Sequence, residues 1–207
     1  MTKEQFKQKV ENFWYYYKIH TIVAIFLLVS VAIVIKQCSS RVVPDLNVII
    51  AVKSIAVSHE QVDLISNTLS KLTEDVNKDG RKVVNCELLD MSTDNPQAES
   101  AYQMKFTAEL ASSNTALYIT DDNFFSQVGD QEGLFYNLKR YNLPNGYTVK
   151  LSKLPDFKKG GLPSELGDLN LSMRKLEGPS LEKASVPYYK NSENVFKKLL
   201  KNGGLLK

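Results

Sequence analysis

The chain is poor in the residues that most often carry chemistry: two histidines, two cysteines and one tryptophan among 207 residues. Two cysteines, Cys38 and Cys86, cannot build a disulfide framework, and both are expected to be free thiols. The histidines are His20, at the edge of an apolar run, and His59. A Ser-His-Asp triad would rest on His59 alone, and no serine sits in a nucleophile motif. No H-E-x-x-H or phosphate-binding glycine loop is present. A cell-surface hydrolase is therefore the weakest functional class, and the sequence reads as non-enzymatic. Net charge is only +3 with a pI near 8.7. No cluster of Lys and Arg is interleaved with aromatics, which argues against a nucleic-acid partner.

What the chain does have is one long apolar run. From Thr21 to Ile35 there is no charge and only two hydroxyl residues. Fifteen helical residues span roughly 22 Å, less than the ~30 Å hydrocarbon core. Trp14, Tyr15, Tyr16 and Tyr17 make up the difference as a headgroup belt, and Lys18 can snorkel outward. Lys3, Lys7, Lys9 and Lys18 precede the run, while Lys36 and Arg41 follow it. The positive-inside rule then places the N-terminus in the cytoplasm. The expected organisation is a cytoplasmic segment 1–18, a single transmembrane helix 19–36, a stalk 37–44 and an extracytoplasmic α/β domain 45–207. The lipid bilayer would be met through residues 14–36. A cleaved signal peptide is an alternative, but "VIKQCSS" offers no small-x-small exit. A buried core helix is another, but the run lacks the polar stripe of a globular surface helix.

The remainder alternates strand and helix. "DLNVIIAV" (45–52) is a β-branched run of the kind buried on both faces of a sheet. Ser58 and Gln61 form a capping box at the head of a helix over 58–76. "RKVVNCELL" (81–89) reads as a second strand. A second helix over 95–112 carries Pro96 in its first turn, with Ala101, Met104, Ala108 and Ala111 as a candidate inner face. "TALYIT" (115–120) is a third strand, and 121–128 a short helix entered through an Asp cap. The order β-α-β-α-β predicts a mostly parallel sheet between helices, a three-layer αβα domain. Later, "GYTVKLSKL" and "LNLSMRKL" read as strands, "DFKKGGLPSELGD" as a loop, and "KNSENVFKKLLKN" as an amphipathic helix with Val195, Leu199 and Phe196 inward.

"ENFWYYYK" running into the apolar segment, "DVNKDG", "VVNCELLD", "ALYITDDNFF", "LNLSMRKLEGPSLEK" and "YYKNSENVFKKLL" occur here in one order. In this combination the chain resembles a group of uncharacterised membrane-anchored proteins of Gram-positive bacteria. Their extracytoplasmic part is similar to one lobe of a type 2 periplasmic solute-binding protein. The resemblance implies a periplasmic-binding-protein-like fold outside the membrane, with "LNLSMRKL" as a late strand returning to the sheet. It implies no activity. A subunit of a solute-uptake receptor is one expectation; a scaffold meeting an envelope protein partner or a weak small-molecule ligand is the other. About 165 residues suffice for only one lobe.

Two places could bind something. Ligands of open parallel sheets meet the carboxyl ends of strands: here Lys53 and Ser54, then Asp90, Ser92 and Asp94, then Thr120, Asp121 and Asp122. For Asp121, helix capping is the default reading. The other place is "EDVNKDGRKVVN" (74–85). Asp75, Asn77 and Asp79 match positions 1, 3 and 5 of a calcium loop, Gly80 matches the glycine at 6, and Arg81 would offer the carbonyl at 7. Position 12 is Cys86, with Glu87 one place later, so this is no EF-hand. A structural Ca2+ held by Asp75, Asn77, Asp79, Arg81 and Glu87 is one expectation, with Glu74 and Asp90 as other sources of the last acid. The competing reading is a polar turn, because Asn, Asp and Gly all favour turns.

Overall fold

The structure is a computed structural model that describes residues 3–39, 42–92, 95–112, 114–128, 133–144, 146–176 and 182–206. The chain divides into two units, Met1–Val42 and Val43–Lys207.

The first unit is one helix, α1 (Lys3–Ser39). Its stretch Phe13–Lys36 is 24 residues long, predominantly apolar and unburied. At 1.5 Å per residue it measures about 36 Å, long enough to cross a hydrocarbon core with some tilt. Trp14 to Tyr17 are all exposed on it.

The second unit is a five-stranded mixed sheet with helices on both faces. Its elements are β1 (Leu46–Val52), α2 (His59–Ser70), β2 (Val84–Asp90), α3 (Pro96–Ala111), β3 (Leu117–Thr120) and α4 (Asp122–Val128). They are followed by β4 (Val149–Lys150), α5 (Pro155–Lys159), β5 (Asn170–Met173) and α6 (Val186–Asn202). The strand order is β2-β1-β3-β5-β4. β1 runs parallel to β2, from Leu46 opposite Val84 to Val52 opposite Asp90, and parallel to β3. β5 is antiparallel to both β3 and β4. The parallel core is the expected β-α-β-α-β unit, and the late strand does return to the sheet, between β3 and β4.

Side chains alternating along β1 and β3 feed two cores. Val48, Ile50, Leu117 and Ile119 join Ile65 and Leu69 of α2, Phe157 of α5, and Val195, Phe196 and Leu199 of α6. Ile49, Ala51 and Tyr118 face the other way, toward Phe106 of α3 and Phe124 of α4. There the rings lock edge to face: Phe106 lies 5.7 Å from Tyr118 and 4.7 Å from Phe124, and Tyr118 lies 5.6 Å from Phe135. Such pairs add ~0.5–1.5 kcal/mol each beyond the area they bury.

Several expectations are met locally. Ser58 Oγ accepts the Gln61 N–H while the Gln61 side chain accepts the Ser58 N–H, completing the capping box. Pro96 opens α3, with Asn95 as its cap. Others are corrected. α2 ends at Ser70 rather than 76, because Asp45 and Asn191 hold the backbone at 74, 76 and 77 in a non-helical course. On α3 the inner face is Tyr102, Phe106 and Leu110, while Ala101, Met104, Ala108 and Ala111 are exposed. Both sets recur at helical spacing, and the bulky set buries far more apolar area. "GYTVKLSKL" contributes only the two residues of β4 before a 3₁₀ turn at Leu151–Lys153. The expected loop 156–168 instead contains α5 and a 3₁₀ turn at Ser164–Asp168.

Candidate functional site

Two buried aspartates organise the two ends of the parallel strands. Asp45 stands just before β1, fully buried. Its Oδ1 accepts the N–H groups of Val76 at 2.8 Å and Asn77 at 3.2 Å, and its Oδ2 accepts that of Val83 at 2.9 Å. Its own N–H donates to the Val83 carbonyl at 2.8 Å. The Asn191 side chain of α6 donates to the carbonyls of Asp45 and Glu74 and accepts the Glu74 N–H. The polar loop between α2 and β2 is thus fastened to the start of β1 from outside its own sequence.

Within that loop Asp75, Asn77 and Asp79 accept backbone N–H groups, as in the polar-turn reading. Asp75 accepts the N–H groups of Asp79 at 3.2 Å and Gly80 at 2.9 Å. Asn77 Oδ1 accepts the Asp79 N–H, and Asp79 Oδ1 accepts that of Arg81. Gly80 has φ +82° and Lys78 +61°, the left-handed turns that let the chain coil round these oxygens. Glu87 is not part of this group. It lies four residues beyond Val83 on an extended strand, about 13 Å away, and is ion-paired with Lys105 of α3. Glu74 is paired with Lys198 at 2.9 Å, which holds its carboxyl below the usual range. Asp90 accepts the N–H and hydroxyl of Ser92. Among the described residues no group of three or more His, Cys, Asp and Glu side chains is arranged to hold a metal. The donor set is therefore the loop's own oxygens, partly engaged by backbone N–H groups, without the expected closing acid from Glu87.

At the carboxyl ends of the strands the second aspartate takes over. Asp121 is 2% exposed. Its Oδ2 accepts the N–H groups of Lys53 at 2.7 Å and Ser54 at 2.5 Å, where β1 ends. Its Oδ1 accepts the Phe124 N–H at 2.7 Å, capping α4. Capping is therefore its role, extended by two further donors that the sequence did not disclose. Of the neighbouring polar groups, the Thr120 hydroxyl is buried without a hydrogen-bond partner among the described residues, while others are paired. Lys53 Nζ meets Glu99 at 2.8 Å. Asp122 receives Asn170 Nδ2 at 2.6 Å and two bonds from Lys150 Nζ, which hold its carboxyl below the ordinary value. Asp94 lies outside the described residues. His59 is exposed at the first position of α2, beside Glu60.

Cys86 is a free thiol on β2, and burial pushes its pKa up to about 12. The side chain of Cys38 lies outside the described residues. No family model matches the chain, and no curated protein or solved structure matches it.

Proposed function

We propose that this chain is a membrane-tethered, extracytoplasmic, non-enzymatic scaffolding module that acts by contact with another envelope protein. The tether is α1, with the N-terminus on the cytoplasmic side. The folded unit would be one lobe of the solute-binding kind, a reading supported by the parallel β-α-β-α-β core and by the late antiparallel strand that returns to it.

The observation that carries a scaffold over a solute receptor is the Asp121 carboxylate. In open parallel sheets, strand ends and helix N-termini present N–H groups to bound anions. Here the N–H groups of Lys53, Ser54 and Phe124 already have an internal anion. A free solute carrying a carboxylate or sulfate would have to displace a buried, triply bonded side chain. A structural Ca2+ belongs to the same proposal: Asp75, Asn77, Asp79 and the Arg81 carbonyl would supply oxygens, and water the rest. An incomplete set of this kind binds in the range of ~10⁻⁴–10⁻³ M.

A melting screen of the full chain in lipid nanodiscs tests the scaffold reading. Sulfate, phosphate, free amino acids and short oligosaccharides should leave the transition unmoved. A saturable rise of several degrees with one of them would favour the uptake-receptor reading instead.

A further inference from the structure

A concavity lies past the carboxyl end of β4. β4 is antiparallel to β5, which is antiparallel to β3, so β4 points the same way as β3. The chain leaves its carboxyl end at Leu151 and forms a 3₁₀ turn, then α5, a turn through Gly161 (φ +85°), and the 3₁₀ turn at Ser164–Asp168. These segments border an open cavity of about 300 Å³. Leu151 and Phe157, each 1% exposed, lie in its lining, and Leu162 and Pro163 add apolar wall. Gly167 is buried there, and a Cβ on it would come within 3.1 Å of Ser152 Cβ, a tight approach of the two 3₁₀ turns.

The polar groups in the lining are few: Lys158, Ser152 and Ser164, all exposed. None of the three side chains has a hydrogen bond or ion pair among the described residues. An unpaired ammonium with two free hydroxyls beside an apolar hollow is the inverse of an amphiphilic anion. Volume sets the size: taking a methylene as about as large as a water, ~30 Å³, the hollow holds a chain of about eight to ten carbons. Small-molecule sites have this make-up, apolar walls with a few polar groups that fix orientation.

We propose that this cavity is a binding site for a medium-chain aliphatic monocarboxylate, with the chain against Leu162 and Pro163 and the carboxylate at Lys158. The site does not depend on the tether or on the scaffold reading.

The test is calorimetric titration of sodium octanoate into the full chain in nanodiscs, with empty nanodiscs as the blank. Saturable one-to-one binding above the blank is expected. Hexanoate, two methylenes shorter, should bind about fifteenfold more weakly, from about fourfold per methylene. Lys158→Gln should weaken octanoate about two- to fivefold, as for an exposed charge pair, and leave octan-1-ol unchanged. Leu162→Glu should abolish binding. Ser164→Trp, at an exposed position of the lining, should block the cavity without touching the core if Leu162→Glu fails to fold. The proposal is overturned by the absence of saturable binding above the blank, by unchanged affinity in Ser164→Trp, or by octylammonium binding as tightly as octanoate.

Discussion

Replacing Asp121 by alanine separates its structural role from the ligand chemistry it pre-empts. The side chain accepts three backbone hydrogen bonds at 2.7, 2.5 and 2.7 Å while 2% exposed. Hydrogen bonds to a charged group contribute ~1.5–3 kcal/mol each, and an orphaned buried donor costs ~1–3 kcal/mol. Ser54 is exposed and Lys53 half-buried, so water can reach two of the three donors once the carboxylate is gone. The expected loss is therefore about 3 kcal/mol rather than the sum of three full terms. For a domain of this size that lowers the midpoint by about 6–12 °C. Urea denaturation of wild type and Asp121→Ala in the same nanodiscs measures it. The vacated donors should then accept an outside anion. Sulfate at tens of millimolar should restore part of the loss in the variant and do little for wild type. A loss below about 1 kcal/mol, or equal stabilisation of both proteins by sulfate, would refute the reasoning.

Alkali provides a second check. Burial raises the thiol of Cys86 and the phenols of Tyr118 and Tyr141 to about 12, and raises Tyr189 as well. The unfolded chain releases these protons first, near ~8.5 for the thiol and ~10 for the phenols. Stability is thus unaffected below pH ~8.5 and falls as pH rises beyond it, by about 1.4 kcal/mol per pH unit for each group engaged. Denaturation midpoints in Cys86→Ala should lack the portion between pH ~8.5 and ~10; the same decline in both proteins would contradict the assignment. At the loop, melting with millimolar calcium against chelator should show a rise that Asp75→Ala/Asp79→Ala removes. No rise would leave Asp45 and Asn191 as the loop's fasteners without an ion. Asp45→Ala should destabilise by about 3 kcal/mol with or without calcium, because its three bonds are to backbone.

The parts of this fold that were legible in the sequence are those written in local pattern. Ser58 and Gln61 announce a cap because both partners lie within one turn. "DLNVIIAV" announces a central strand because only a strand covered on both faces tolerates unbroken apolar residues. Gly80 announces a turn because its conformation requires it. What was illegible depends on residues far apart in the chain. Asp45 looks like an ordinary acid before a strand, and only the return of β2 beside β1 brings Val83 to it. Asn191, 146 positions away, reaches the Asp45 carbonyl from the last helix. The outward set on α3 also recurs at helical spacing, and the aromatic neighbours Tyr118 and Phe124 decide between the two. Glu87 stands one place past the twelfth position of the calcium pattern, and strand extension carries it away while Lys105 claims it. The cavity beside Phe157 was hidden because "KKGGLPSELG" has loop composition, while Pro155 at a first helical position and Leu166 at a 3₁₀ turn make short helical pieces of it.

The account stands on α1 crossing a bilayer once with the sheet unit outside. The most direct measurement fuses a reporter after Lys207, one that is active only on the extracytoplasmic side, and compares it in intact cells with a second reporter active only in the cytoplasm. Activity of the first and silence of the second is the predicted result. The reverse pattern, or recovery of the fusion in the soluble fraction, would contradict the tether and the scaffold built on it.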